Sequence, residues 1–404
     1  MEKSEFAEKY PKSMVAYVAL IFLAMFIYGI SNQAIGTLIS RIIEHYDIKM
    51  AFAGLLSSFS SAGNFAAIFV ITIFVGRVNK MILMGMSLLF YSTSLYLISV
   101  APPFGLVLAT FALIGVFGAT TDTLVNSLVA DLMPGKISLG ISLLHGMFGL
   151  GGLCGPIVIE RLAANLNWEQ VYFIISMLFL TYLVIYAVFV RLHWKLLSTR
   201  MSNEKQSGFG LSDIALFFMK KRHVLLLVTV FFYGGNQITL SVWIKRYVET
   251  YLNEPLWGAY TLSAMWLGIA ICRLFISPLV KASSPIKICV GNFISALALV
   301  AGLLSGSVFG IAAASLVVGL SSGLTLPLVL ALGCEWNKEK TALGTMVPFT
   351  VFFIACVLFP PLSGLISDQM GIPWGVALGA ASAILTALFS GILNAGMKKE
   401  ITVC

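Results

Sequence analysis

Apolar stretches recur along the whole chain and are separated by short polar breaks. An α-helix of about 20 residues crosses the ~30 Å apolar core of a bilayer, and each stretch reaches that length. The first six stretches cover residues 14–39, 51–75, 81–100, 105–130, 138–160 and 169–190. The second six cover residues 223–243, 256–280, 287–306, 308–333, 341–366 and 374–396. The pattern predicts an all-α membrane protein with twelve transmembrane helices.

The composition supports this class and argues against others. Hydrophobic residues make up 59% of the chain and charged residues 10%, whereas soluble proteins carry about 25% charged residues. The polar segments are too short for a catalytic domain, and they contain no nucleotide-binding loop or nucleophile elbow. We therefore expect neither an enzyme nor a cofactor. The six cysteines lack metal-site spacing and are expected to pack between helices.

Basic residues are distributed unevenly between the two ends of the predicted helices. Of the 25 Lys and Arg, 19 lie in the two terminal segments and in the loops that follow even-numbered helices. The positive-inside rule then predicts a multi-pass protein of the plasma (inner) membrane with both termini in the cytoplasm. This topology and contact with anionic lipid account for the net charge of +8, so no nucleic-acid partner is expected.

A long polar interval divides the chain near its midpoint. Residues 191–222 are predicted to form a cytoplasmic linker between a six-helix half at 1–190 and a second half at 223–404. The part of the linker that reads LSDIALFFMKKR is amphipathic and predicts a short helix on the membrane surface.

The two halves match each other at a nearly constant offset. A shift of 205 places RIIEHY, from Arg41, on RYVETY, from Arg246, and it places Tyr28 on Tyr233. A shift of 204 matches glycines and a proline in helices four and five with residues of the same types in helices ten and eleven. Duplicated six-helix halves are typical of transporters, whose binding site lies between the halves near the membrane midplane.

Local motifs narrow this architecture further. Helices four and five contain GVFGATTDTLVNSLVADLMPG and LLHGMFGLGGLCGP, and helices seven and ten contain YGGNQITLSVWIKRYV and GLTLPLVLALG. With these motifs the chain resembles the major facilitator superfamily over its full length, and within it the fucose/proton symporter-like sugar permease group. The resemblance implies a fold of two pseudo-symmetric halves, with helix five packed against helix eight and helix four beside the central cavity.

Three ionisable side chains are predicted inside the membrane: Asp122, His145 and Arg273. Residue counts to the cytoplasmic end of each helix place all three roughly 12–14 Å deep, in one layer. Charged groups there cost about 2.5–3.5 kcal/mol each and are usually functional. With the family resemblance, we expect Asp122 to be the coupling carboxylate, His145 a proton relay and Arg273 the partner of an empty Asp122. The alternatives are a static hydrogen bond between helices for Asp122, a structural histidine, and an arginine that reaches toward the interface.

Uncharged polar and aromatic residues predict the substrate contacts. Amide pairs occur at similar places in helices one and seven, and a preceding glycine in each helix permits local unwinding. Amides and tryptophan faces suit a neutral polyhydroxylated solute. The predicted substrate-binding residues are Asn32, Gln33, Asn126, Asn236, Gln237, Trp243 and Trp266. Hydrogen bonding between helices without a ligand is the alternative for each amide.

A predicted gate lies at the outer ends of helices one and seven. Arg41 and Glu44 repeat as Arg246 and Glu249 in the second half. These four residues are expected to form rim salt bridges that help to close the outer end.

These observations favour one function and leave a second open. The first is alternating-access symport, by a monomer, of a neutral polar small solute, a sugar, with a cation. A proton is favoured because His145 shares the layer of Asp122, but Thr120, Thr121 and Asn126 are able to complete a sodium site. The alternative is a proton-coupled exporter of drugs or amphipathic metabolites, which a partial exporter-like motif in helix five and the 16 methionines favour. A lipid flippase or a transceptor with the same fold is a third possibility.

Overall fold

Long α-helices joined by short loops account for most of the chain. The computed structural model describes residues 12–74, 77–133, 137–199, 217–277, 284–338 and 341–403. Within these ranges we number twelve long helices in chain order. The first six are α1 Lys12–Tyr46, α2 Met50–Phe74, α3 Lys80–Ser99, α4 Phe104–Leu132, α5 Ile137–Ala163 and α6 Trp168–Leu192. The second six are α7 Lys221–Thr250, α8 Pro255–Ile276, α9 Pro285–Leu304, α10 Val308–Trp336, α11 Thr341–Met370 and α12 Ile372–Val403.

Each predicted transmembrane helix corresponds to one observed helix, so the predicted fold class is confirmed. In the described part of the chain, eleven helices are long and apolar enough to cross a membrane, and the 25-residue α2 occupies the place of the remaining span. The main differences are at the ends of α1 and α7, which continue well beyond the predicted boundaries. Lys245, which the sequence placed in a loop, is therefore a helical residue, and its side chain is fully buried.

The predicted linker lies largely outside the described residues. A short helix, Trp194–Ser198, follows α6, and residues 200–216 are among those that the structure does not describe. The segment LSDIALFFMKKR falls partly in this gap, and its last two residues already belong to the first turn of α7. The surface helix and the boundaries of the two halves therefore remain predictions.

The helices pack as two groups that meet along two long seams. The largest apolar core is built entirely from residues between Met14 and Leu197, in the first half. The seams between the halves are α2 against α11 and α5 against α8, and the last part of α1 also packs against α7. The contact between α5 and α8 is the one that the family resemblance implies.

Glycines allow α5 to approach helices on both of its sides. A Cβ atom on Gly151 would lie 2.2 Å from the backbone oxygen of Phe26 in α1. A Cβ atom on the next residue, Gly152, would lie 3.0 Å from the ring of Trp266 in α8. The Gly-rich segment of α5 therefore lets α1 pack closely against one side of this helix and α8 against another.

We expect Gly151→Ala to lower the melting temperature of the purified protein in detergent. The new methyl group would push α1 away from α5, and overpacking of this kind costs about 1–3 kcal/mol. The matched control is Gly85→Ala in α3, because the nearest atom to a Cβ there is 3.9 Å away. Equal melting temperatures for the two variants would contradict this packing explanation.

Candidate functional site

A cavity of about 270 Å³ lies between the two halves. Residues of α1, α2, α4 and α5 form one side, and residues of α7, α8, α10 and α11 form the other. Ligand cavities commonly measure about 300–1,000 Å³, so this volume suits a small solute. The location is the one expected for the binding site of a transporter with duplicated halves.

The structure brings Asp122, His145 and Arg273 to the wall of this cavity. His145 is within electrostatic range of both the Asp122 carboxylate and the Arg273 guanidinium. Arg273 belongs to a π-helical turn, Cys272–Ile276, near the end of α8, and such turns are frequent at functional sites. Its Nε is buried without a hydrogen-bond partner, and its guanidinium lies beside the Tyr233 hydroxyl.

Asp122 forms its hydrogen bonds within its own helix. The Nδ2 atom of Asn126 donates to the Asp122 backbone oxygen at 2.8 Å and to Oδ1 at 3.3 Å. Among the described residues, no hydrogen bond joins Asp122 to another helix, and no ion pair within 4.0 Å joins it to His145 or Arg273. The Asp122 side chain therefore lines the cavity without a hydrogen bond that ties it to another helix.

Uncharged groups from both halves line the same cavity. Asn32 and Gln33 belong to α1, which is interrupted at Gln33 between Lys12–Asn32 and Ala34–Tyr46. Gln237 and Trp266 face them from the other half. Gln33 Nε2, Gln237 Oε1 and Trp266 Nε1 are buried without a partner in the protein. Unpaired buried groups are costly, so these atoms fit a ligand that can donate and accept hydrogen bonds.

Three of the predicted substrate-binding residues lie elsewhere. Asn236 Nδ2 donates to the backbone oxygen of Gly379 at 2.8 Å, and Trp243 Nε1 donates to that of Pro360 at 3.2 Å. Both side chains are buried in the packing of the second half, and Asn126 is engaged by Asp122. These three residues therefore hold helices and the carboxylate in place and do not form the cavity wall.

An ion cluster joins helices of both halves at the predicted outer end of the bundle. Arg41 Nη2 lies 2.8 Å from Glu160 Oε1, and the Lys245 Nζ atom lies 3.1 Å from both Glu160 Oε2 and Glu249 Oε1. Ser40 donates to Glu249 at 2.6 Å. We call Arg41, Glu160, Lys245 and Glu249 the outer ion cluster. Since Glu160 belongs to the first half and Lys245 to the second, the cluster joins the halves.

The predicted gate residues are only partly in this cluster. Arg41 and Glu249 belong to it, but the structure gives them Glu160 and Lys245 as partners. Glu44 is exposed, and Nε and Nη1 of Arg246 have no hydrogen-bond partner. Within the described ranges, neither residue forms an ion pair shorter than 4.0 Å. The difference from the predicted gate arises because α7 extends beyond its predicted end. Lys245 is therefore a buried helical residue that pairs with Glu160.

A comparison with protein families identifies the chain. The model of the Major Facilitator Superfamily matches residues 21–335. This chain belongs to the major facilitator superfamily. It is therefore a membrane transporter and not an enzyme.

Individual proteins show the same relationship at low identity. The chain is 19% identical to the Protein TsgA homolog of Buchnera aphidicola subsp. Baizongia pistaciae, over 65% of this chain and 67% of that protein. It is 24% identical to Sodium-dependent glucose transporter 1 of Xenopus laevis, over 66% of this chain and 58% of that protein. It is 21% identical to Sodium-dependent glucose transporter 1A of Mus musculus, over 90% of this chain and 93% of that protein.

A solved structure confirms the superfamily fold. A bacterial homolog of the human lysosomal transporter Spinster, in an inward-facing and unoccupied conformation, matches with a TM-score of 0.72 and 15% identity. The match covers 95% of this chain and 96% of that one.

The cavity also has an aromatic wall that sequence reasoning missed. Phe349, Phe352 and Phe353 of α11 line it, together with Phe148 of α5. The spacing of the three α11 residues puts them on one helical face, so a search for aromatic stripes would have found them. Among the described residues, no group of three His, Cys, Asp or Glu side chains is arranged to hold a metal ion.

Proposed function

We propose that this protein is a cation-coupled symporter of a neutral polyhydroxylated solute, with a sugar as the substrate class. The observation that carries the proposal is one cavity with two kinds of wall. Asp122, His145 and Arg273 provide the charged wall, and unpartnered amide and indole groups provide the uncharged wall. The names of the frog and mouse relatives agree with this substrate class.

Asp122 is the proposed coupling group. A carboxylate that lacks a partner on another helix gains most from a cation that enters from the cavity, because charge inside a membrane is costly unless it is neutralised. His145 nearby favours a proton, whereas the names of the two glucose transporters favour sodium. Since Arg273 lies in the same layer, we expect it to interact with Asp122 after the cation leaves.

The outer ion cluster is the proposed outer gate. Asp368, at the end of α11, accepts hydrogen bonds from the backbone N–H groups of Met50 and Ala51 at 3.0 and 2.9 Å. Together with the cluster, these bonds join the halves at one end of the cavity. With both termini in the cytoplasm, as the charge pattern predicts, this arrangement corresponds to an inward-facing conformation in the plasma (inner) membrane.

Export of amphipathic compounds is the second candidate function. The phenylalanines of α11 and Phe148 supply an apolar surface opposite the charged layer, and a planar cationic compound would interact with both. A sugar instead requires the amide groups of α1 and α7.

The test is an uptake assay with purified protein in liposomes. Radiolabelled D-glucose, D-galactose and L-fucose are offered in turn under an inward sodium gradient, an inward proton gradient or no gradient. The proposal expects accumulation of at least one sugar under one of the gradients. If no sugar accumulates, and a planar amphipathic cation is instead expelled in exchange for protons, the second candidate replaces the first.

We expect Gln237→Ala to raise the half-saturating sugar concentration. The substitution removes a hydrogen bond to the solute worth about 0.5–1.5 kcal/mol, which corresponds to roughly a 2- to 10-fold change. The matched control is Asn236→Ala on the preceding residue, which we expect to lower the melting temperature because it breaks the bond to Gly379. An unchanged half-saturating concentration in Gln237→Ala would remove this residue from the site.

A further inference from the structure

Tyr28 connects parts of the site that the proposed function uses separately. It lies in α1, lines the cavity and is one helical turn before Asn32. Its hydroxyl approaches α4 closely, since a Cβ atom on Gly118 would be 2.9 Å from the hydroxyl oxygen. Gly118 precedes Asp122 by one turn on the same helix face. The Tyr28 hydroxyl is therefore placed between the coupling carboxylate and a proposed solute-binding amide.

The Tyr28 hydroxyl interacts with both of these groups. Its oxygen is within electrostatic range of the Asp122 carboxylate and within reach of an Asn32 side-chain N–H group. A phenol hydroxyl carries one hydrogen, so it cannot donate fully in two directions at once. An ionised Asp122 attracts that hydrogen, whereas an Asp122 neutralised by a bound cation does not.

Ring contacts fix the aromatic part of Tyr28. Its ring centroid lies 5.7 Å from that of Tyr91 and 5.6 Å from that of Phe148. Phe148 in turn contacts Trp266 of the other half at 5.8 Å. Because the ring is held from two sides, the orientation of the hydroxyl hydrogen is the part that is free to change.

We propose that Tyr28 is a positioning residue that makes solute binding at Asn32 depend on the charge of Asp122. When a cation neutralises Asp122, the Tyr28 hydroxyl donates to the Asn32 side-chain oxygen and fixes the amide with its N–H groups toward the cavity. When Asp122 is ionised, the hydroxyl donates toward the carboxylate and its oxygen accepts from an Asn32 N–H group, which is then not free for the solute. The cation and the solute then strengthen each other's binding by the same factor. This inference rests on the proposed symport and adds the residue that links its two ligands.

The test compares Tyr28→Phe with wild-type protein in liposomes. Half-saturating D-glucose concentrations are measured in equilibrium exchange, with sodium, and in a separate series protons, at high and at low concentration on both sides. In the wild type we expect the cation to lower this concentration by about 5- to 150-fold. In Tyr28→Phe we expect the cation to change the half-saturating glucose concentration by a factor of less than about two. Glucose exchange should still be present, because only the hydroxyl that interacts with Asp122 has been removed.

Two further variants separate positioning from a general loss of structure. Tyr17→Phe removes a buried hydroxyl that lies 3.1 Å from the Tyr186 hydroxyl and does not line the cavity. This variant should keep the wild-type factor. Gly118→Ala keeps the Tyr28 hydroxyl but displaces it, and should reduce the factor as Tyr28→Phe does. A wild-type factor in Tyr28→Phe, or an equal loss in Tyr17→Phe, would overturn the inference while leaving symport intact. A wild type that shows no cation effect on glucose would overturn symport, and the inference with it.

Discussion

Asp122→Asn is expected to abolish accumulation of sugar against its concentration gradient while preserving exchange of labelled sugar across the membrane. Asparagine keeps the size and the bond to Asn126 but cannot become charged, so the variant has no charge for the cation to neutralise. The accumulation ratio under an imposed cation gradient should fall to about one, because only coupling supplies the free energy for uphill transport.

The matched control for this prediction is Asp47→Asn. Asp47 is exposed and follows the last residue of α1 as its C-cap, with φ +48°. Asparagine adopts this left-handed conformation readily. The same chemical change outside the cavity should leave accumulation unaltered. Gradient-driven accumulation at the wild-type level in Asp122→Asn would remove this residue from the coupling mechanism.

Lys245→Met is expected to open the outer end of the protein. The substitution leaves the Glu160 and Glu249 carboxylates with only Arg41 as a cation in the outer ion cluster. Removing one partner of a buried ion pair costs about 3–5 kcal/mol. Each 1.4 kcal/mol changes an equilibrium constant about tenfold. The closed outer end should therefore lose most of its population, because the outward-open state exposes both carboxylates to water.

The opening is measurable as a distance between the halves. Spin labels at Ala164 and Thr250, both exposed near the outer ends of α5 and α7, report it in a background without native cysteines. We expect the distribution to shift to longer distances in Lys245→Met but not in Lys49→Met, which makes the same change at an exposed site. Identical distributions in both variants would show that the cluster does not hold the outer end closed.

The fold was predictable because its signals are local. A run of about 20 apolar residues must form a helix in a bilayer, since its backbone groups have no other partners. The duplication added the arrangement of the halves, and the spacing of polar residues along α4, α5 and α8 placed Asp122, His145 and Arg273 around one cavity.

The repeat also shows which amide residues of the two halves are equivalent. The likeness between Asn32–Gln33 and Asn236–Gln237 suggests a pairing that is wrong by one residue. The offset of 205 that aligns Tyr28 with Tyr233 aligns Asn32 with residue 32 + 205 = 237, which is Gln237. Both of these residues line the cavity. Matching Asn32 to Asn236 shifts the helix by one residue, or about 100° of rotation, and Asn236 then faces Gly379 instead.

The outer ion cluster could not be derived from the sequence. Glu160 lies near the end of one helix and Lys245 near the end of another, 85 residues along the chain (245 − 160 = 85). Their pairing depends on how far α7 extends and on how α1, α5 and α7 meet in space. Local charge repeats instead suggested Glu44 and Arg246, which lie in the same turns as Arg41 and Glu249 but face other surroundings.

Sugar-driven cation movement in the reconstituted wild-type protein tests the central claim most directly. Sugar is added outside liposomes that have equal sodium and equal pH on both sides, and entry of radioactive sodium and of protons is followed separately. The account predicts that sugar drives one of these cations inward, and that Asp122→Asn loses this flux. Sugar entry without movement of either cation would contradict the account.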